Sequence, residues 1–249
     1  MRHILSRPNR SVLAKFAQSR SLVAFDYDGT LAPIVREPAK AKLRARTRRL
    51  LRCLTGLYPC IVISGRSRAD AVRRLQGTGV QSVVGNHGAE TADNQAQIQN
   101  TITAWRHMLE FALDGWPGVF IEDKKLSLAV HYRKARRKAP TREAILEAAH
   151  LLTGARLVPA KQALNVMVDG APHKGEVLQA ECARLECQSA MFVGDDATDE
   201  DAFGSALTPN LLTVRVGAKS HSRAAYCLAR QAEIDDLMQA LIELRMDRC

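Results

Sequence analysis

The chain has 249 residues, 46% of them hydrophobic, which suits one or two globular domains and excludes a disordered segment. No apolar run approaches the ~20 residues that span a bilayer, and the opening "MRHILSRPNR" lacks the apolar middle of a signal peptide, so a cytoplasmic protein without membrane contact is expected. A net charge of +10 permits an anionic partner without naming one.

The first predicted element is a buried strand, Leu22–Phe25. It runs into "DYDGT", which places Asp26 and Asp28 one residue apart. Alternation along an extended chain points both carboxylates the same way, and Gly29 permits a sharp exit. Asp is a poor strand former and costly to bury unpaired, so this position calls for something that compensates the charge, such as a divalent cation and a phosphoryl group.

A basic segment from Arg36 to Arg52 holds eight cations and one acid. Leu43, Leu50, Leu51 and Leu54 share one face of a helix over Lys42–Leu54, so those charges form its wet face. Cys60–Ile63 reads as the next strand and leads into "SGRS". There Ser64 can bond a phosphoryl oxygen and Arg66 can fork onto one, or Ser64 or Ser67 simply caps the helix Ser67–Leu75. Strand Ser82–Val84 ends in "GNHGAE", where Asn86 and His87 are candidate substrate contacts, a structured turn being the alternative.

The rhythm of strand and helix then breaks. A helix over Ala96–Asp114 is followed by strands Gly118–Glu122 and Leu126–Arg133, a helix Thr141–Leu152, and strands Ala155–Ala160 and Leu164–Val168. Thr141 is expected as N-cap and Gly154 as the residue C′. In Leu126–Arg133, Ser127, Ala129, His131 and Arg133 share one face and Leu126, Leu128, Val130 and Tyr132 the other. This α+β unit, residues 96–170, interrupts a core made of residues 1–95 and 171–249. The second basic run, "YRKARRKAPTR", lacks the interleaved aromatics of a nucleic-acid site, and no nucleic-acid partner is expected.

The core resumes with "HKGEVL", which puts Lys174 at a helix N-terminus. A cation is unfavourable at that positive end of the macrodipole. A bound anion would resolve the conflict, and a snorkelling surface lysine is the alternative. Strand Ala190–Val193 ends in "GDDATDED", whose Asp195, Asp196, Asp199, Glu200 and Asp201 place five acids in seven positions. Such an oxygen-rich loop suits Mg²⁺. Leu211–Val216 and the helix Glu233–Met246 complete an α/β, doubly wound, mostly parallel sheet. In such sheets ligands bind beyond the strand C-termini, so the four loops can converge. Cys53, Cys60, Cys182, Cys187, Cys227 and Cys249 include no C-x-x-C pair, and free thiols are expected.

Asp26/Asp28, Ser64, Lys174 and Asp195 to Asp199, in this order, resemble the motifs of the haloacid dehalogenase superfamily of phosphotransferases. "DYDGTLAPI", "ISGRS", "GNHGAE", "GDDATDEDAF" and the strand "EDKKLSLAVHYR" resemble, within it, the trehalose-6-phosphate phosphatases. The resemblance implies a Rossmann-like core with an α/β cap that closes as a lid, a Mg²⁺ cofactor and a sugar phosphate substrate. It makes Asp26 the nucleophile and Asp28 the general acid and base, with Ser64 and Lys174 holding the phosphoryl oxygens. Asp26, Asp28 (through its carbonyl) and Asp195 would hold the metal, with Asp196 and Asp199 around it. Glu122, Lys124 and Arg133 would meet the sugar or phosphate. The family's usual Glu and basic-Pro pair before the motif lysine is replaced here by "LNVMVDGAPHKG". A phosphatase for another sugar, a phosphosugar mutase, and a basic nucleic-acid binder on a lapsed phosphatase fold are the rival readings. A monomer or weak homodimer is expected.

Overall fold

Every residue of Leu22–Phe25 is apolar, so the strand must be buried on both faces, and only a sheet covered by helices on either side provides that. The computed structural model describes residues 1–35, 37–205 and 210–247. Arg36, where the first basic segment begins, and Cys249 lie outside the described residues. The chain divides into two compact units, Met1–His87 with His173–Cys249, and Gly88–Pro172.

In chain order the first unit begins with β1 (Arg2–His3), α1 (Arg10–Gln18), β2 (Ser21–Phe25), α2 (Ala45–Thr55), β3 (Cys60–Ile63), α3 (Arg68–Leu75) and β4 (Ser82–Val84). The second unit contributes α4 (Gln95–Ala112), β5 (Phe120–Asp123), β6 (Ser127–His131), α5 (Lys138–His150), β7 (Ala155–Ala160) and β8 (Ala163–Val168). The first unit then closes with α6 (Lys174–Arg184), β9 (Ser189–Gly194), α7 (Glu200–Phe203), β10 (Leu211–Val216), β11 (Tyr226–Leu228) and α8 (Ile234–Met246).

The first unit carries a parallel sheet in the order β1-β11-β10-β9-β2-β3-β4. Alternation in β2 sends Val23 and Phe25 into a cluster with Leu51 and Leu54 of α2 and Leu237 and Leu241 of α8. Leu22 and Ala24 point the other way, to Val177 and Leu178 of α6. This is the doubly wound arrangement expected. Its consequence for chemistry lies in the register: Phe25 pairs Val62 on one side and Val193 on the other. The C-terminal ends of β3, β2 and β9 therefore emerge side by side, each followed by one of the polar loops.

The second unit is an antiparallel sheet, β5-β6-β8-β7. Leu128 and Val130 of β6 join Val166, Ile102, Trp105 and Ile145 in its core. Ala89 and Ala92 bury in the same core, so the unit begins before residue 96. Thr141 is not the N-cap of α5. The helix starts at Lys138, because Pro140 falls in a first turn that needs no N–H from it, and Thr141 Oγ1 donates to the Arg137 carbonyl at 2.7 Å. Gly154, at φ +76°, turns the chain into β7 rather than closing the helix, which ends at His150. The strands β1 and β11 and the helix α1 are additions to the sequence reading. Among the described residues no helix is long and apolar enough to cross a membrane.

Candidate active site

Asp26 follows β2 directly, and its N–H donates to the Val193 carbonyl of β9 at 2.9 Å. The strand pairing thus continues one residue into the loop and fixes where the carboxylate points. The chain then turns tightly, with Gly29 N–H donating to Ala32 and Ala32 N–H to Tyr27. Gly29 has φ +87°, and a Cβ there would lie 2.2 Å from Asp195 Oδ2. Only glycine lets the loop after β2 lie this close to the loop after β9.

Asp26, Asp195 and Asp199 each offer a carboxylate oxygen, all within 4.8 Å of one another. Lys174, 1% exposed, donates its Nζ to Asp26 Oδ1 at 2.8 Å and to Asp199 Oδ1 at 2.6 Å. The snorkelling alternative is therefore excluded. The charge conflict at the start of α6 is resolved by the protein's own carboxylates, helped by His173, whose Nδ1 accepts the Gly175 N–H while Glu176 reaches back to the His173 N–H.

The remaining acids of the loop have distinct tasks. Asp199 Oδ2 accepts the N–H groups of Asp195 and Asp196 at 2.7 and 2.9 Å. Asp196 Oδ1 accepts from Thr198 N–H and Oγ1, so its carboxylate closes its own turn rather than joining the cluster. Asp195 Oδ1 is buried without a hydrogen-bond partner. An orphaned buried anion beside two more carboxylates is costly, and an all-oxygen donor set fits a hard divalent cation such as Mg²⁺.

The electrostatics agree. Burial, opposed by Lys174, holds the Asp26 carboxyl well above its ordinary range, with Asp199, Asp196 and Asp195 adding to the rise. Burial and the neighbouring Asp199 push Asp195 up to about 8. Burial likewise lifts Asp199 to about 6 against the pull of Lys174. Asp196 goes the other way, to about 2, because Lys174, His87 and the Thr198 hydrogen bonds outweigh its burial. Lys174, despite burial, is raised well above its ordinary value by Asp199 and Asp26. One lysine does not balance this many acids, and a dication among them would.

Asp28 is not in the cluster. Arg66 Nε and Nη2 fork onto its two oxygens at 2.6 and 2.7 Å, and Arg66 Nη1 donates to Asp70 at 2.7 Å. The guanidinium that could have met a phosphoryl group is thus engaged with carboxylates. Ser64 is fully buried, and its Oγ accepts the Arg66 N–H at 3.2 Å. The cap of α3 is Ser67, which accepts from Asp70 N–H. Asn86 and His87 both adopt left-handed backbone, φ 50° and 59°, a strained choice for two consecutive non-glycine residues. Their N–H groups donate to the Arg66 and Ser64 carbonyls, and a Cβ on Gly65 would lie 2.3 Å from the His87 ring.

Glu122, Lys124 and Arg133 belong to the second unit. Glu122 sits on β5 with Oε2 2.8 Å from His131 Nε2, Lys124 lies in the turn to β6, and Arg133 just beyond β6. Sequence reasoning missed Arg215 of β10. Its guanidinium donates to the Asp195 and Asp196 carbonyls and to Glu200 Oε1, the last at 2.8 Å, and so supports the acidic loop from behind. A lone arginine inside the apolar run "LLTVRV" is the signal that could have found it.

A family model described as trehalose-phosphatase matches residues 24–231. The chain belongs to the trehalose-phosphatase family. It is 34% identical over 212 residues to the trehalose-phosphate phosphatase of Mycobacterium ulcerans, covering 79% of this chain and 54% of that one. To the Mycobacterium tuberculosis (H37Rv) trehalose-phosphate phosphatase it is 32% identical over 196 residues, 73% of this chain and 50% of that one. This family member thus spans about half the length of the curated relatives it matches. Its fold resembles the C-terminal domain of Candida albicans trehalose-6-phosphate phosphatase, with a TM-score of 0.78 at 22% identity over 94% of this chain and 97% of that one. Aspergillus fumigatus trehalose-6-phosphate phosphatase superposes with a TM-score of 0.64 at 25% identity, covering 98% and 99%.

Proposed function

We propose that this chain hydrolyses trehalose-6-phosphate to trehalose and inorganic phosphate, the final step of trehalose formation, through a phosphorylated Asp26. The observation that supports it most is the lysine-bridged carboxylate cluster, Asp26, Asp195 and Asp199 around Lys174, in a chain of the trehalose-phosphatase family.

In this reading Lys174 holds Asp26 Oδ1 and leaves Oδ2 to attack phosphorus. The bond from phosphorus to the sugar oxygen breaks as Asp28 delivers a proton to that oxygen. Asp28 then takes a proton from water, whose oxygen bonds to phosphorus as the bond from phosphorus to Asp26 Oδ2 breaks, which releases phosphate and restores the carboxylate. Ser64 and Lys174 steady the phosphoryl oxygens, where charge is spread in the transition state. Mg²⁺, when bound by Asp26 and Asp195 with the Asp28 carbonyl, neutralises phosphoryl charge and keeps Asp26 ionised. Asp196 and Asp199 fix the loop that carries Asp195. Asn86 and His87, and in the second unit Glu122, Lys124 and Arg133, are the proposed substrate contacts. The Arg66 fork on Asp28 makes Arg66 a partner of the acid more than of the phosphate.

Phosphate release measured with Mg²⁺ over trehalose-6-phosphate, glucose-6-phosphate, sucrose-6-phosphate and mannose phosphates tests this. Preference for trehalose-6-phosphate is the expected result. Turnover of another ester instead would remove the substrate assignment and keep the chemistry, and isomerised sugar phosphate without free phosphate would identify a mutase.

A further inference from the structure

Asp70 lies outside every motif of the sequence, yet it anchors the arginine that grips Asp28. It sits in the first turn of α3. Its Oδ2 accepts from Arg66 Nη1 at 2.7 Å and Arg74 Nε at 2.8 Å, and its Oδ1 from Arg73 Nη2 at 2.8 Å. The Arg73 and Arg74 pairs are of the helical kind that ordinarily supports a helix and nothing else. The Arg66 pair differs, because Arg66 precedes the helix and turns its other edge, Nε and Nη2, to both oxygens of Asp28. One planar guanidinium therefore bridges two carboxylates, with the Tyr27 ring 5.4 Å from its carbon. The Arg66 side chain is 11% exposed and that of Asp28 39%, so the bridge is largely shielded while Asp28 keeps an open side. Arg74 in turn donates to the Ala39 and Ala41 carbonyls, which ties Asp70 to the segment that follows the Asp28 loop.

We propose that Asp70 is a positioning residue for the proton transfer made by Asp28: it holds Nη1 of Arg66, and the fixed guanidinium plane sets the direction of the Asp28 carboxyl. This rests on the function proposed above. A fork restrained at one end only can swing with its flexible stem, and an acid that swings with it misses the ester oxygen. The leaving group reports the difference. A sugar oxygen must receive a proton as its bond to phosphorus breaks, whereas 4-nitrophenolate leaves as a stable anion. The ratio kcat/KM covers events up to that bond cleavage.

The experiment compares kcat/KM for trehalose-6-phosphate and 4-nitrophenyl phosphate in the wild-type protein, Asp70→Asn and Asp70→Glu, with Mg²⁺. For Asp70→Asn a loss of about 30-fold is expected on the sugar ester, a part of the ~10²–10⁴ that a positioned acid contributes. On the aryl ester the loss stays below about threefold, since no proton delivery is at stake. Asp70→Glu keeps the charge and gives an intermediate, still ester-selective loss. Should Asp70→Asn fail to fold, as circular dichroism would show, Asp70→Glu carries the comparison alone. Equal losses on both esters, or none on either, overturn the inference while the wild-type activity upholds the proposed function. A wild-type protein inactive toward both esters overturns the function and the inference with it.

Discussion

The ammonium of Lys174 donates to the Asp26 carboxylate across 2.8 Å, with both side chains buried. The two residues are 148 positions apart in sequence, and the contact exists because α6 begins near where β2 ends. Lys174 secures one oxygen of the proposed nucleophile, and in the proposed reaction it also meets the phosphoryl oxygens. Buried ion pairs do not by themselves argue for stability. This one is better explained by chemistry, since its cost would be hard to account for in an inert core.

Lys174→Met tests how far the fold relies on that cation. The substitution leaves Asp26 and Asp199 buried beside Asp195 with their shared donor gone. Breaking a buried pair on one side costs about 3–5 kcal/mol, and a loss of this size is expected in urea unfolding of the metal-free protein at pH 8, together with loss of turnover. A change below about 1 kcal/mol, the range of an exposed pair, would mean the carboxylates are protonated or solvated when Lys174 is absent.

Asp26→Asn removes the proposed nucleophile at nearly constant volume. Phosphate release is expected to fall below detection, while Lys174 keeps Asp199 as its partner and the fold survives. Circular dichroism and the thermal midpoint report the fold. Substantial Mg²⁺-dependent turnover in this variant would contradict the role assigned to Asp26.

Metal removal has a pH signature whose sign follows from burial. Asp195 is pushed up to about 8 and Asp199 to about 6, from 3.8. Between pH 4 and 8 the native state therefore holds protons that the unfolded chain has released, and stability falls as pH rises through that window. A bound dication takes over from those protons and needs the sites deprotonated. The rise in thermal midpoint on adding Mg²⁺ in place of EDTA is expected to be larger at pH 8 than at pH 5. An equal or opposite response would place the metal away from this cluster.

The sugar end of the proposed reaction is probed by Arg133→Ala in the second unit. Loss of a charge-assisted contact with the substrate costs about 1.5–3 kcal/mol, so kcat/KM for trehalose-6-phosphate is expected to fall by at least about tenfold, mostly through KM. Steady-state kinetics that leave kcat/KM unchanged would take Arg133 out of the substrate site.

Much of this was legible in the sequence because burial on both faces writes itself as uninterrupted apolar runs. Cys60–Ile63, Ser82–Val84 and Leu211–Val216 are strands to the residue, and each of β2, β3 and β9 ends where its polar loop begins. Strand β1, at the edge of the sheet, and β11 beside it left no such trace, being two and three residues long. Helix α5 begins at Lys138 because a proline in a first turn is permissive, whereas the sequence reading began it at Thr141 as N-cap. Side-chain partnerships were the least legible. Lys174 announced a conflict at a helix end without naming its partners, and the Arg66 fork could equally have met phosphate. Which anion it grips depends on the rotamer and on the register of α3, neither of which a motif records.

Gly29→Ala offers the most local test of the candidate metal site's geometry. At φ +87° an added Cβ is strained by about 1–2 kcal/mol, and it would lie 2.2 Å from Asp195 Oδ2. Asp195 must move, and with it the cluster. Displacements of about 1 Å near reacting atoms cost on the order of 10²-fold in rate. Gly77→Ala is the control, since Gly77 has φ +75° and nothing within 4 Å of the added atom. Both variants are expected to lose similar backbone stability in EDTA, but only Gly29→Ala should lose the Mg²⁺-dependent rise in thermal midpoint and most of its phosphate release. If Gly77→Ala loses them equally, or Gly29→Ala retains them, the close approach of the two loops is not what builds the site.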